Sequence, residues 1–258
     1  MDLVELKGLD TEGFIRTISR RPIQAAFQAA VDNLCDMLLD RLGPLIDGVY
    51  LYGSVARGDA TPGRSDLDVT LILIREPALQ DNQAIESVRL SLESRHSEVA
   101  KVDFDVGCLA DVNAPENLCK WGFWLKHHCR CVYGNDLASQ FDLFRPSRLV
   151  ARAVNGDFPE VLAAYAQRIE VEKNVLVIER LKRGASRKLI RSTNVLRPVE
   201  ALSWPETLEE HVDHFLVTYP EMRPQITFFL FEQKISDSDK GDFVERLRIF
   251  SAWMQLRI

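Results

Sequence analysis

Apolar residues recur at helical spacing from Ile23 to Leu42, and Gly43-Pro44 stops the run. The pattern then turns strand-like over Leu45–Tyr52. A β-rich segment, Asp66–Ile74, alternates at first and is apolar towards its end, and Pro77 closes it. A helix is predicted over Asn82–Ser97, a strand over Lys101–Leu109, a helix over Pro115–Lys126 and a short strand over Arg130–Tyr133 before Gly134-Asn135. Beyond this point the strand patterns stop. Helices are predicted over Pro159–Lys182, Ala185–Leu196, Glu206–Thr218, Arg223–Lys234 and Ser238–Leu256. Capping-box spacing supports two of the starts, Asp157 with Glu160 and Ser203 with Glu206. The expected architecture is α+β, a mixed sheet flanked by helices followed by an all-α C-terminal bundle. The expected boundary lies near residue 140, giving domains 1–140 and 141–258, with 1–20 as an N-terminal extension packed on the core.

Composition narrows the classes. The 258 residues are 46% hydrophobic and 27% charged, which excludes disorder over most of the chain. The longest predominantly apolar runs, Val69–Ile74 and Ile226–Phe231, are far shorter than the ~20 residues of a spanning helix, so no membrane partner is expected. Met1–Glu5 carries acids early and reads as no secretory signal, and the five cysteines lack framework spacing. Reduced thiols in a cytoplasmic protein are expected. A net charge of −6 argues against a grip on long DNA.

The chemistry concentrates in residues 51–74. A strand ends at Gly53, where the missing Cβ allows a sharp turn and a close ligand approach. Ser54 stands where a helix would begin, and free N–H groups there favour phosphate. Asp66 and Asp68 are two apart on a strand, so both carboxylates share a face with Cα atoms ~6.5–7 Å apart. Such a pair repels itself unless a cation lies between, and Mg²⁺ suits it. Leu67 and Val69 face the core. A neighbouring strand offers a third carboxylate, Asp103 or Asp105, which also share a face; with it, two metals ~3.5–4 Å apart would activate the attacking oxygen and stabilise the leaving one. Arg57 is a further candidate for phosphate contact and Ser65 for nucleotide contact. Their plainer readings are a solvated helix face and a cap on the turn before the strand.

Gly53-Ser54-x-Ala56-Arg57-Gly58, then Ser65-Asp66-x-Asp68 and a later strand acid, resembles the DNA polymerase β nucleotidyltransferase superfamily. The form is similar to its small bacterial branch of aminoglycoside and minimal nucleotidyltransferases, and the ending Arg130–Leu137 resembles the close of that domain. The resemblance spans residues 22–137. It implies that Gly53 and Ser54 bind nucleotide phosphates, that Asp66 and Asp68 hold Mg²⁺, and that a third strand acid binds metal or acts as base. Asp103 is preferred for that place because apolar-acid-apolar strands of the family fit Val102-Asp103-Phe104, while Asp105 stays open.

The helical half is unevenly charged. Residues 180–197 carry seven bases and no acid, with Arg187 and Lys188 in the middle as candidates for neutralising the triphosphate. Residues 199–245 carry eleven acids against three bases; Glu206, Glu209, Glu210 and Asp213 would suit a cationic acceptor, or are a solvated face. His127-His128-Cys129-Arg130-Cys131 lacks a second ligand pair for zinc, and Cys129 and Cys131 read as inward residues of a short strand; Phe228, Phe229 and Phe231 read as core. The leading expectation is a Mg²⁺-dependent transferase moving NMP, with ATP the preferred donor among NTPs, to a hydroxyl of a small molecule of aminoglycoside type with release of pyrophosphate. The alternatives are transfer to a protein or a tRNA end, and a non-catalytic nucleotide-binding module.

Overall fold

The computed structural model describes residues 7–19 and 21–258; Met1–Glu5 and part of the expected extension 1–20 lie outside them. The chain divides into two units. One runs from Arg16 to Phe144; the other is Arg145–Ile258 joined by the N-terminal segment up to Ile15. The segment expected to extend the first unit therefore groups, as far as Ile15, with the helical one, where the Lys7 carbonyl accepts the Trp204 N–H at 3.0 Å.

In the first unit, α1 (Ala25–Leu42) leads into β1 (Ile46–Tyr52), and α2 (Gly53–Arg57) follows without a loop. Next come β2 (Leu67–Leu73), α3 (Leu79–Arg95), β3 (Val102–Cys108), α4 (Leu109–Asn113), α5 (Phe123–His128) and β4 (Arg130–Gly134). The sheet order is β3-β2-β1-β4, with β2 and β3 parallel and the other pairs antiparallel. Alternation on β2 assigns its faces. Leu67, Val69, Leu71 and Leu73 are buried against α1 and α3 with Val49, Leu51 and Val102. Asp68, Thr70 and Ile72 point to the opposite face, where Ile72 packs with Tyr50, Trp121 and Leu125. The helix expected over Pro115–Lys126 is broken into a 3-10 turn at Pro115–Asn117, a widened π turn at Leu118–Gly122 and then α5. Pro115 starts the tighter turn because its fixed φ and missing N–H suit a first turn.

The second unit contains α6 (Arg148–Asn155), α7 (Phe158–Val171), α8 (Val175–Ser192), α9 (Leu208–Thr218), α10 (Arg223–Glu232) and α11 (Lys240–Gln255). The helix expected to run unbroken from Pro159 to Lys182 stops at Val171. The Glu172 carboxylate accepts the N–H groups of Lys173 and Asn174, and Asn174 in turn caps α8 by accepting from Leu176 at 3.0 Å. Conversely Gly184, expected between two helices, lies inside α8. A Cβ there would come within 2.8 Å of the Tyr165 hydroxyl on α7, so glycine admits close helix packing at that point. The start of α9 is capped by Thr207 with Glu210, four residues later than the Ser203–Glu206 spacing suggested. Asp157 leaves its helix uncapped and bonds Lys188 instead. Phe229 is buried and Phe228 packs against the core, but Phe231 is about half exposed, contrary to its expected core place. Among the described residues no helix is long and apolar enough to cross a membrane.

Candidate active site

The site grows from the β1–α2 junction. Tyr52 ends β1 directly opposite Asp68 on β2, and Asp68 stands in register with Asp103 on β3. In-register neighbours on one face bring side chains together, and Asp66 completes the group from the residue before β2. Ligand oxygens of Asp66, Asp68 and Asp103 all lie within 4.8 Å of one another. Asp105, two residues further on and paired with Thr70, stays outside this group. The three that come together derive from two parallel strands and the loop entering one of them, so the sheet itself fixes their spacing.

Electrostatics mark Asp68 within the cluster. Burial and the charges of Asp66 and Asp103 push Asp68 up to about 6, against the opposing pull of Lys101 and Arg57. Lys101 pairs with Asp103. Desolvation also raises Asp105, with Lys120 opposing. A carboxylate raised in this way is disfavoured when ionised, so at neutral pH its charge costs the metal-free fold stability. Asp68→Asn is therefore expected to raise Tm in chelator, by ~2–4 °C for each ~1 kcal/mol relieved. Thermal melts in EDTA check this; a lower Tm would mean the carboxylate is held by local bonds instead. A donor set of three hard carboxylate oxygens, with Asp68 pressed by its acidic neighbours, fits a divalent cation such as Mg²⁺.

Gly53 closes the site from the other side. Its φ is 69°, and a Cβ there would stand 2.1 Å from Asp68 Oδ2. Both facts require glycine. Gly53→Ala is expected to displace the Asp68 carboxylate and destabilise the fold by about 1–3 kcal/mol, with loss of Mg²⁺ affinity measured by calorimetry; unchanged affinity would contradict this placement. Ser54 follows in the first turn of α2.

The remaining candidates divide. Arg57 is half exposed and bonds Asp59 at 3.1 Å, close enough to Asp68 to act on it through space. Ser65 Oγ accepts the Thr61 N–H at 2.8 Å, so its hydroxyl ties off the loop that delivers Asp66. Arg187 and Lys188 lie on α8 of the helical unit. Arg187 is exposed, while Lys188 bonds Asp157 at 2.7 Å within its own unit. Lys182, of the same basic run, is 2% exposed and paired with Glu232 at 2.8 Å. Among the acids weighed for an acceptor, Glu210 serves as a helix cap and Glu209 pairs with Lys234.

Sequence reasoning missed the aromatic wall beside the carboxylates. Tyr52 and Trp124 pack edge to face at 4.8 Å, and Trp124 Nε1 donates to Thr70 Oγ1 at 2.9 Å. Burial and the neighbouring carboxylates raise the Tyr52 phenol well above its usual range. The parity that places Tyr52 on the Asp68 face was the available signal; Trp124 carried none. A second group, Glu76, Cys108 and Asp111, also comes within 4.8 Å, from segments distant in sequence. Burial pushes the Cys108 thiol up, and it donates to Glu76 at 3.3 Å, the behaviour of a satisfied thiol. Cys129 of the histidine–cysteine run is buried in the strand approach with its thiol on Thr70.

A family model described as a nucleotidyltransferase domain matches residues 35–180. Comparison with curated protein sequences yields no match. Among solved structures, spectinomycin adenyltransferase AAD(9) from Enterococcus faecialis, with ATP and spectinomycin, superposes with a TM-score of 0.55 at 13% identity, covering 89% of this chain and 98% of that one. That likeness extends the shared fold through the helical unit.

Proposed function

The chain belongs to the nucleotidyltransferase domain family, and from that premise we propose that it transfers AMP from ATP to a hydroxyl of a small-molecule acceptor of aminoglycoside type, with release of pyrophosphate. The observation that carries this reading is the convergence of Asp66, Asp68 and Asp103 within 4.8 Å around the Gly53 turn. The likeness to AAD(9), an adenyltransferase solved with ATP and spectinomycin, supports the donor and the acceptor class.

In this reading Asp66 and Asp68 hold Mg²⁺, and Asp103 adds a ligand for a second ion or takes the acceptor proton. A Mg²⁺ ion held there would supply charge neutralisation at the reacting phosphate. The protein's own part is positional. The backbone at Gly53 and Ser54 receives phosphate oxygens, since the glycine turn leaves the N–H groups approachable. The sheet registers Asp103 beside Asp68, so an acceptor hydroxyl near Asp103 needs little rearrangement to lose its proton. Tyr52 and Trp124 limit water on one side of the carboxylates.

Pyrophosphate release from each of the four NTPs with Mg²⁺, with and without pooled aminoglycosides, tests the reading. Release from ATP that depends on one pool member is expected. Label on a polypeptide or on tRNA would replace the small-molecule acceptor by a macromolecular one, and turnover without any added acceptor would mean hydrolysis or self-modification. Lys182, Arg183 and Lys188 of the basic run each have a carboxylate partner and Arg197 is buried, so the run offers RNA fewer bases than its sequence suggests, with Arg180, Arg187 and Arg191 exposed.

A further inference from the structure

Arg197 follows the 3-10 turn Thr193–Leu196 of the helical unit and is 6% exposed. Its Nη2 donates to the carbonyls of Ala201 at 2.6 Å and Ser203 at 2.8 Å, and its guanidinium lies 5.1 Å from the Trp204 ring centre. Nη1 is buried with no acceptor. Among the described residues no carboxylate pairs with it, and burial pulls its pKa down from the usual arginine range to about 10. Two further buried atoms are orphaned nearby, Asn194 Nδ2 and His211 Nδ1, on residues 6% and 8% exposed. All three residues line one cavity of about 20 Å³, walled also by Pro198, Phe215 and Tyr219.

Orphaned buried polar atoms and an unpaired buried cation are each unfavourable, and three such atoms on residues that line one small cavity call for an occupant. A cavity of this size takes one water or one monatomic ion. The occupant must accept from a guanidinium N–H and from an amide N–H. The charges that act on His211 come from Arg191, His214 and Arg197, and with burial they hold its imidazole neutral at ordinary pH. The tautomer of this neutral ring that carries its proton on Nδ1 supplies a third donor, and an anion in the cavity selects that tautomer. Three donors, a local positive charge and no carboxylate select an anion over water, and the volume excludes phosphate.

We propose that Asn194, Arg197 and His211 enclose a buried site for a single monovalent anion of halide size. The anion ties the turn at Thr193–Leu196 to α9 and neutralises Arg197. This site is independent of the nucleotide chemistry, since a triphosphate cannot enter it. The full-length protein melted in sodium chloride should show a Tm a few degrees above that in sodium gluconate at equal ionic strength, rising to saturation, because gluconate is too large for the cavity. The difference should vanish in Asn194→Leu. Crystals grown in sodium bromide should show anomalous scattering within hydrogen-bond distance of Arg197 Nη1 and Asn194 Nδ2. Equal Tm values in the two salts would overturn the proposal, as would an ordered water and no bromide signal in the cavity. The bromide experiment uses the unaltered chain, so it decides the matter even if the leucine variant fails to fold.

Discussion

Replacing Asp66 and Asp68 together by asparagine is expected to lower turnover by at least ~10³-fold while leaving the fold intact. Both side chains lie on the partly exposed face of the sheet, and asparagine keeps their size, so packing has little reason to change. What is lost is negative charge at the only place among the described residues where three carboxylates converge. Charge neutralisation at a reacting phosphate is worth several kcal/mol, and each ~1.4 kcal/mol is tenfold in rate. Asp103→Asn is expected to fall in the same range, because its oxygens belong to the same group. Asp105→Asn should cost less than ~10-fold, since Asp105 pairs with Thr70 one step further along the sheet. Pyrophosphate release, with circular dichroism as the control for folding, checks all three. Equal losses at Asp103 and Asp105 would mean that the second position also reaches the reacting groups.

The largest stability effect is expected far from that site. Lys182 and Glu232 are fully buried between α8 and α10, and Lys182 also donates to the Ser238 carbonyl at 2.7 Å and lies 5.3 Å from the Phe243 ring centre. Lys182→Met takes the cation from Glu232 and leaves the Ser238 N–H, at 3.0 Å, to hold its carboxylate in the core, which is expected to cost about 3–5 kcal/mol. The double variant Lys182→Met with Glu232→Leu removes both charges and should recover most of that loss. Urea denaturation measures both. A single variant as stable as the parent would show that Glu232 reaches water or another partner in the fold.

This pair also shows where sequence reading stops. Seven bases in a run look like a charged surface, yet the partners of Lys182 and Lys188 stand 50 and 31 residues away. Nothing local announces them. The same limit hid the break at Glu172–Asn174, where a carboxylate and an asparagine cap end one helix and begin the next inside an apolar pattern of helical period. It hid the cavity at Arg197 as well, because orphaned atoms are a property of packing. The carboxylate site was more legible because its parts are local. Gly53, Asp66 and Asp68 lie within sixteen residues, and strand parity alone puts two of the acids on one face. Strand register then brings Asp103, and not Asp105, beside Asp68, and a parallel β2–β3 pairing in which Asp68 meets Asp103 cannot be read from either strand by itself. The α+β architecture with a mixed sheet and a helical second half was legible for a related reason. Period-2 patterns end at residue 134, and period-3.6 patterns alone follow.

Everything proposed for catalysis turns on the Asp66–Asp68–Asp103 group directing transfer of a nucleotidyl unit to a small acceptor. Incubating the full chain with Mg²⁺, ATP labelled at the α-phosphorus and a pool of aminoglycosides tests this without intermediaries. Label is expected on one pool member with an equal amount of pyrophosphate, and neither product from Asp66→Asn/Asp68→Asn. Label transfer that survives in the double variant would contradict the assignment, as would a parent protein that neither transfers label nor binds Mg·ATP.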